Sequence, residues 1–74
     1  MTFGVVLFHT TTSAIRAEKI LMKAGLVVKL VPTPRELSSD CGISLRFSPG
    51  DEADLRQNLD QAQMEYEIFY LEKN

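Results

Sequence analysis

The chain has 74 residues, a formal net charge of −2 and 45% hydrophobic residues. That length suits a single domain, 1–74, and leaves no room for a second core. One cysteine and one histidine exclude an internal disulfide and a Cys/His zinc site, and the mixed charges form no basic stripe for nucleic acid or an anionic membrane.

A domain this small buries only about 60% of its unfolded surface, so its stability must come from an apolar core. Met1-Thr2-Phe3-Gly4-Val5 carries no charged leader, and no apolar run approaches the roughly 20 residues of a membrane span. The expectation is a cytoplasmic protein without cofactor or metal, in which a lone thiol stays reduced.

Phe3 to Phe8 is apolar at almost every position and rich in Val and Phe, which predicts a central strand covered on both faces. His9-Thr10-Thr11-Thr12-Ser13 follows, with Thr11 or Thr12 as the expected N-cap of a helix. Ala14, Ala17, Leu21 and Ala24 recur at helical spacing, Ile20 widens the stripe, and Gly25 ends the helix as a left-handed cap with Leu26 beside it. Val27 to Val31 reads as a second strand stopped by Pro32-Thr33-Pro34. Ile43-Ser44-Leu45-Arg46-Phe47 alternates strictly and predicts a strand with one buried face. Ser48-Pro49-Gly50-Asp51 is a helix start in which Ser48 is expected to cap, and Leu55, Leu59 and Ala62 form the stripe of that second helix. Tyr66 to Leu71 is the closing strand.

The order β-α-β-β-α-β predicts an α+β ferredoxin-like two-layer sandwich, with a four-stranded antiparallel sheet and two helices on one face. Because the first and last strands are apolar on both faces, the face away from the helices is left for a second copy or another partner. The acids Asp51, Glu52, Asp54 and Asp60 read as a solvated helix face, and Tyr66, Phe69 and Tyr70 as core or interface residues.

This topology also makes a statement about chemistry. The third strand should run antiparallel beside the first, so Cys41-Gly42 falls at the sheet end where Phe8-His9 emerges and the first helix begins. Free amides and the positive dipole end of that helix face this edge and favour a thiolate. Arg35 emerges at the same edge and adds positive charge, whereas Asp40 opposes ionisation. Gly42 is expected to permit a close backbone approach or a positive φ next to the sulfur. A lone cysteine is more often a small buried hydrophobe, but Ser38, Ser39, Asp40 and Gly42 make this a surface loop. His9 is the sole candidate base, and Thr10, Thr11 and Thr12 are helix caps or, on the sharper reading, an anion site. No Ser-His-Asp set, phosphate-binding glycine loop or dinucleotide fingerprint is present, which argues against a self-sufficient enzyme.

Leu7-Phe8-His9-Thr10-Thr11, Ala17-Glu18-Lys19-Ile20-Leu21, Ala24-Gly25, Val31-Pro32-Thr33-Pro34-Arg35-Glu36 and above all Ser38-Ser39-Asp40-Cys41-Gly42 resemble the selenium/sulfur carrier-like family of small bacterial proteins. The resemblance covers nearly the whole chain. It implies a carrier in which Cys41 receives sulfur or selenium from a donor protein and passes it to an acceptor. The family's name rests on likeness to TusA-like sulfur carriers, which carry Cys-Pro-x-Pro at a helix start. Here Cys41-Gly42-Ile43-Ser44 runs into a predicted strand instead. The alternative expectation is a non-catalytic ligand-binding, regulatory or assembly module on the same fold.

Overall fold

In the computed structural model, which describes residues 2–37 and 42–72, the elements follow the expected order. They are β1 (Thr2–Leu7), α1 (Thr11–Lys23), β2 (Val28–Pro32), β3 (Ile43–Phe47), a 3₁₀ turn (Pro49–Asp51), α2 (Glu52–Gln61) and β4 (Glu67–Glu72). The sheet order is β2-β3-β1-β4 and each neighbouring pair is antiparallel. This is the ferredoxin-like α+β sandwich.

Register decides which residues share a face. Val6 lies opposite Leu45 on one side and Ile68 on the other, and Leu45 lies opposite Leu30. These residues meet Ala14, Ala17 and Leu21 of α1 and Leu55 and Leu59 of α2 in one apolar core. The alanines keep the face of α1 flat, which lets that helix lie close to the strands. Gly4 serves the same layer in another way. A β-carbon there would sit 2.3 Å from the Phe47 ring, which is 2% exposed and meets Tyr70 edge-on at 6.0 Å. Glycine at this position is the space into which Phe47 packs.

Both helices end in the same device. Gly25 (φ 89°) donates to Met22 O and Leu26 to Leu21 O, both at 3.0 Å, so the left-handed cap and its apolar contact stand as expected. After α2 the left-handed residue is Gln63 (φ 56°), with Met64 N–H donating to Leu59 O at 3.1 Å. No glycine or asparagine marks that position, so the second cap has no signature in the sequence.

Several boundaries move. The N-cap of α1 is Thr10, not Thr11 or Thr12: its Oγ1 accepts the Ser13 N–H at 3.1 Å. Ser48 occupies the cap position before Pro49 but makes no side-chain capping bond, and the chain begins with a 3₁₀ turn before α2 proper. β2 runs through Pro32, opposite Ile43, because an edge strand can turn a missing N–H outward. Ala24 is the exposed C-cap of α1 and contributes nothing to its buried stripe.

The sheet face away from the helices is less open than the sequence suggests. Val5 and Ser44 have no accessible surface and Leu7 is 5% exposed, while Phe69 remains 36% exposed. Gly4→Ala should destabilise the protein by about 2 kcal/mol in urea unfolding, as overpacking of a dense core does. In a Phe47→Leu background the same substitution should cost less than half as much. Equal costs in both backgrounds would show that Phe47 does not set the requirement for glycine.

Candidate functional site

The rim of the sheet where β1 ends gathers six chain segments. Leu7 pairs with Ser44 near the start of β3 and with Glu67 at the start of β4, and Pro32 at the end of β2 pairs with Ile43. The N-terminus of α1 follows β1 by a short connection, and the C-terminus of α2 precedes β4 at the same edge. The centre of the expected site, Ser38, Ser39, Asp40 and Cys41, lies outside the described residues. The flanks of that connection are described. Thr33 N–H donates to Gly42 O at 3.0 Å, which closes its base, and Leu37 N–H donates to Pro34 O at 3.0 Å, which places Arg35 and Glu36 in a tight turn.

His9, Thr10, Thr11, Thr12, Arg35 and Gly42 therefore share one rim, though not one contact cluster. His9 is held toward the β4 side of β1, with Nε2 3.2 Å from the Glu65 carboxylate, both side chains being highly exposed. Gly42 sits on the opposite, β3 side. An exposed pair of this kind contributes little to stability, and it directs the imidazole away from Gly42. Thr10 uses its hydroxyl on Ser13, accepting the backbone N–H and donating to Ser13 Oγ at 3.0 Å, so one first-turn amide is already satisfied. Thr11 and Thr12 are exposed in that turn, and Arg35 is exposed with no ion pair to an acid among the described residues. Gly42 is exposed, and an added β-carbon there would meet nothing within 4 Å among the described residues.

Over residues 3–71 the sequence matches the family described as "Putative Se/S carrier protein-like". The chain belongs to that Se/S carrier-like family. It is also similar to "Uncharacterized protein YtiA" of Escherichia coli (strain K12), with 35% identity over 48 residues that cover 62% of this chain and 56% of that protein. The chain thus spans little more than half the length of that relative. No solved structure matches.

Within this Se/S carrier-like chain the rim holds features that sequence patterning passed over. Ser44, two residues after Gly42, is fully buried, and its hydroxyl has no hydrogen-bond partner among the described residues. Strict alternation reads its position as solvent-facing. Leu7 and Val31, its neighbours across the ladder, are apolar, and that flanking was the available signal. Glu65, the partner of His9, lies in the connection before β4, where a charge reads as ordinary solvation. Tyr66 is half-buried there and donates to Asp60 Oδ1 at 2.7 Å. Burial, aided by that bond, holds its hydroxyl above the usual tyrosine range. Tyr66 therefore supports the fold fully below the ordinary tyrosine value, and that support is lost as pH rises through the raised one. Among the described residues no group of three or more His, Cys, Asp or Glu could hold a metal, and no helix is long and apolar enough to cross a membrane.

An orphaned buried hydroxyl costs free energy that alanine would recover. Ser44→Ala should raise unfolding stability by about 1 kcal/mol. A fall in stability would instead show that the hydroxyl has a partner in the folded chain.

Proposed function

We propose that this protein is a sulfur or selenium carrier in which the thiol of Cys41 holds the transferred atom as a persulfide or its selenium counterpart. The observation that carries the reading is membership of the Se/S carrier-like family over residues 3–71, in a chain whose sequence has a single cysteine.

The chemistry needs little else. The Cys41 thiolate attacks the terminal sulfur of a donor persulfide, one S–S bond forms as the donor's breaks, and the donor leaves as a thiolate. Transfer to an acceptor thiolate repeats the exchange and returns Cys41 to its starting state. No external oxidant or reductant is required, because the moving sulfur keeps its oxidation state. The attacking thiol works best with a pKa near ambient pH, since a lower value raises the thiolate fraction but weakens its nucleophilicity.

The rim supports this reading through three of its parts. Gly42 is exposed and uncrowded, which suits approach by a bulky protein partner. The positive end of α1 opens on the same rim and favours an anion there. Arg35, exposed in its turn, steers a donor or acceptor. His9 has no part in this scheme, because its side chain is held at Glu65 on the β4 side of the rim. The reading treats residues 1–74 as one carrier domain acting in the cytoplasm, with separate donor and acceptor proteins, and it needs no second copy of the chain.

Incubation with a cysteine desulfurase and cysteine, followed by intact-mass spectrometry without reductant, tests the transfer. The expected product is one added sulfur, about 32 Da, located on Cys41 by peptide mapping and absent from Cys41→Ser. An unmodified chain beside a labelled control carrier would refute the reading.

A further inference from the structure

At the opposite rim, where β1 and β2 begin and β3 ends, a cleft of about 270 Å³ is bounded by Phe3, Val27, Lys29, Arg46, Phe47 and Pro49. Its volume lies just below the roughly 300 Å³ at which pockets for drug-sized ligands begin.

The charges in this cleft break a rule of sheet design. Lys29 and Arg46 lie directly opposite each other in the β2–β3 ladder, so both project from the face away from the helices. Like charges in that arrangement repel. Neither is in an ion pair with an acid among the described residues, where the ion pairs are His9–Glu65 and Arg56–Glu52. Local conflicts of this kind are expected at functional or strained sites.

The cleft is also ordered in advance. The Arg46 guanidinium carbon lies 4.3 Å from the centroid of the Phe3 ring. That cation–π contact holds the planar donor group in place, and a pre-positioned guanidinium loses less freedom when it engages an oxyanion. Beside the cations the walls are apolar: Val27 is 82% exposed, and Pro49 continues the surface. Ser48, also in the lining, has a hydroxyl that makes no capping bond.

We propose that this cleft binds a small organic oxyanion, a carboxylate or phosphate carried on a compact apolar or aromatic body. Arg46 and Lys29 share the anionic group, and Val27 and Pro49 pack against the body. The site rests on no part of the carrier reading, since it lies at the rim away from Gly42 and involves no thiol.

NMR titration of the full chain with phenyl phosphate, benzoate and inorganic phosphate, each against chloride at matched ionic strength, tests the proposal. Saturable shifts at the amides of Phe3, Lys29 and Arg46 are expected with the organic anions, with at least tenfold weaker affinity for inorganic phosphate. Lys29→Gln and Arg46→Gln should each weaken binding at least tenfold, and Arg35→Gln should leave it unchanged. Preference for phenyl phosphate over benzoate assigns a phosphate ligand, and the reverse a carboxylate. Two readouts do not depend on a folded variant: phenyl phosphate should raise the wild-type melting temperature above chloride, and the shifts should saturate. Lys29→Gln, relieved of repulsion, should melt above wild type at low salt. Non-saturating shifts of equal size for all three anions, or binding untouched by both substitutions, would overturn the proposal.

Discussion

The placement of β1 between two antiparallel neighbours is the constraint from which the rest of the molecule follows. Val6 is paired with Leu45 on one side and Ile68 on the other, so neither edge of this strand reaches solvent. A strand in that position must be apolar on the helix side, to build the core, and on the outer side, where Val5 and Leu7 are buried among its neighbours. The same pairing determines what each rim contains. With β3 reversed beside β1, the residues entering β3 meet those leaving β1, and α1 starts from the same place. Slipping the register by one residue would turn Leu45 and Phe47 out of the core and open the layer that Gly4 keeps narrow.

The parts of this architecture legible in the sequence are those written in side-chain period. The continuous apolar run of β1, the alternation of β3 and the Ala14-Ala17-Leu21 spacing of α1 each state how many faces are buried. Gly25 and Pro49 are local signals whose backbone meaning holds in any context. What escaped reading depends on contacts between distant residues. Thr10 takes the cap from Thr11 and Thr12 because the helix entry is set by the end of β1, and three candidate hydroxyls stand in a row. Gln63 adopts a left-handed conformation because the turn into β4 demands it, without a glycine to announce it. Ser44 is buried because Leu7 and Val31 flank it across the ladder, which no pattern within β3 reveals.

The candidate site follows the same division. That His9, Thr10, Arg35 and Gly42 would arrive at one rim was a consequence of topology and therefore visible in advance. How they are oriented was not, because His9 is drawn to Glu65. Among the described residues the rim brings His9, Arg35 and Gly42 into no common contact, and the proposed carrier chemistry does not require one. Persulfide exchange, as proposed above, would draw its driving force from the two thiols and would ask of a scaffold only that it expose one of them and favour its anion. Membership of the Se/S carrier-like family and a scaffold of this economy agree. The two rims also differ in chemistry, with the start of α1 on the rim of Gly42 and two cross-strand cations on the rim of Phe3.

The carrier proposal requires the single thiol to be exposed and biased toward its anion, and the pH dependence of Cys41 alkylation tests that requirement most directly. With iodoacetamide under native conditions, the account predicts a rate near that of a small free thiol at high pH, with a midpoint below the ordinary cysteine value of about 8.5. A slow reaction whose midpoint lies above that of the free thiol would return Cys41 to the buried, structural class and contradict the account.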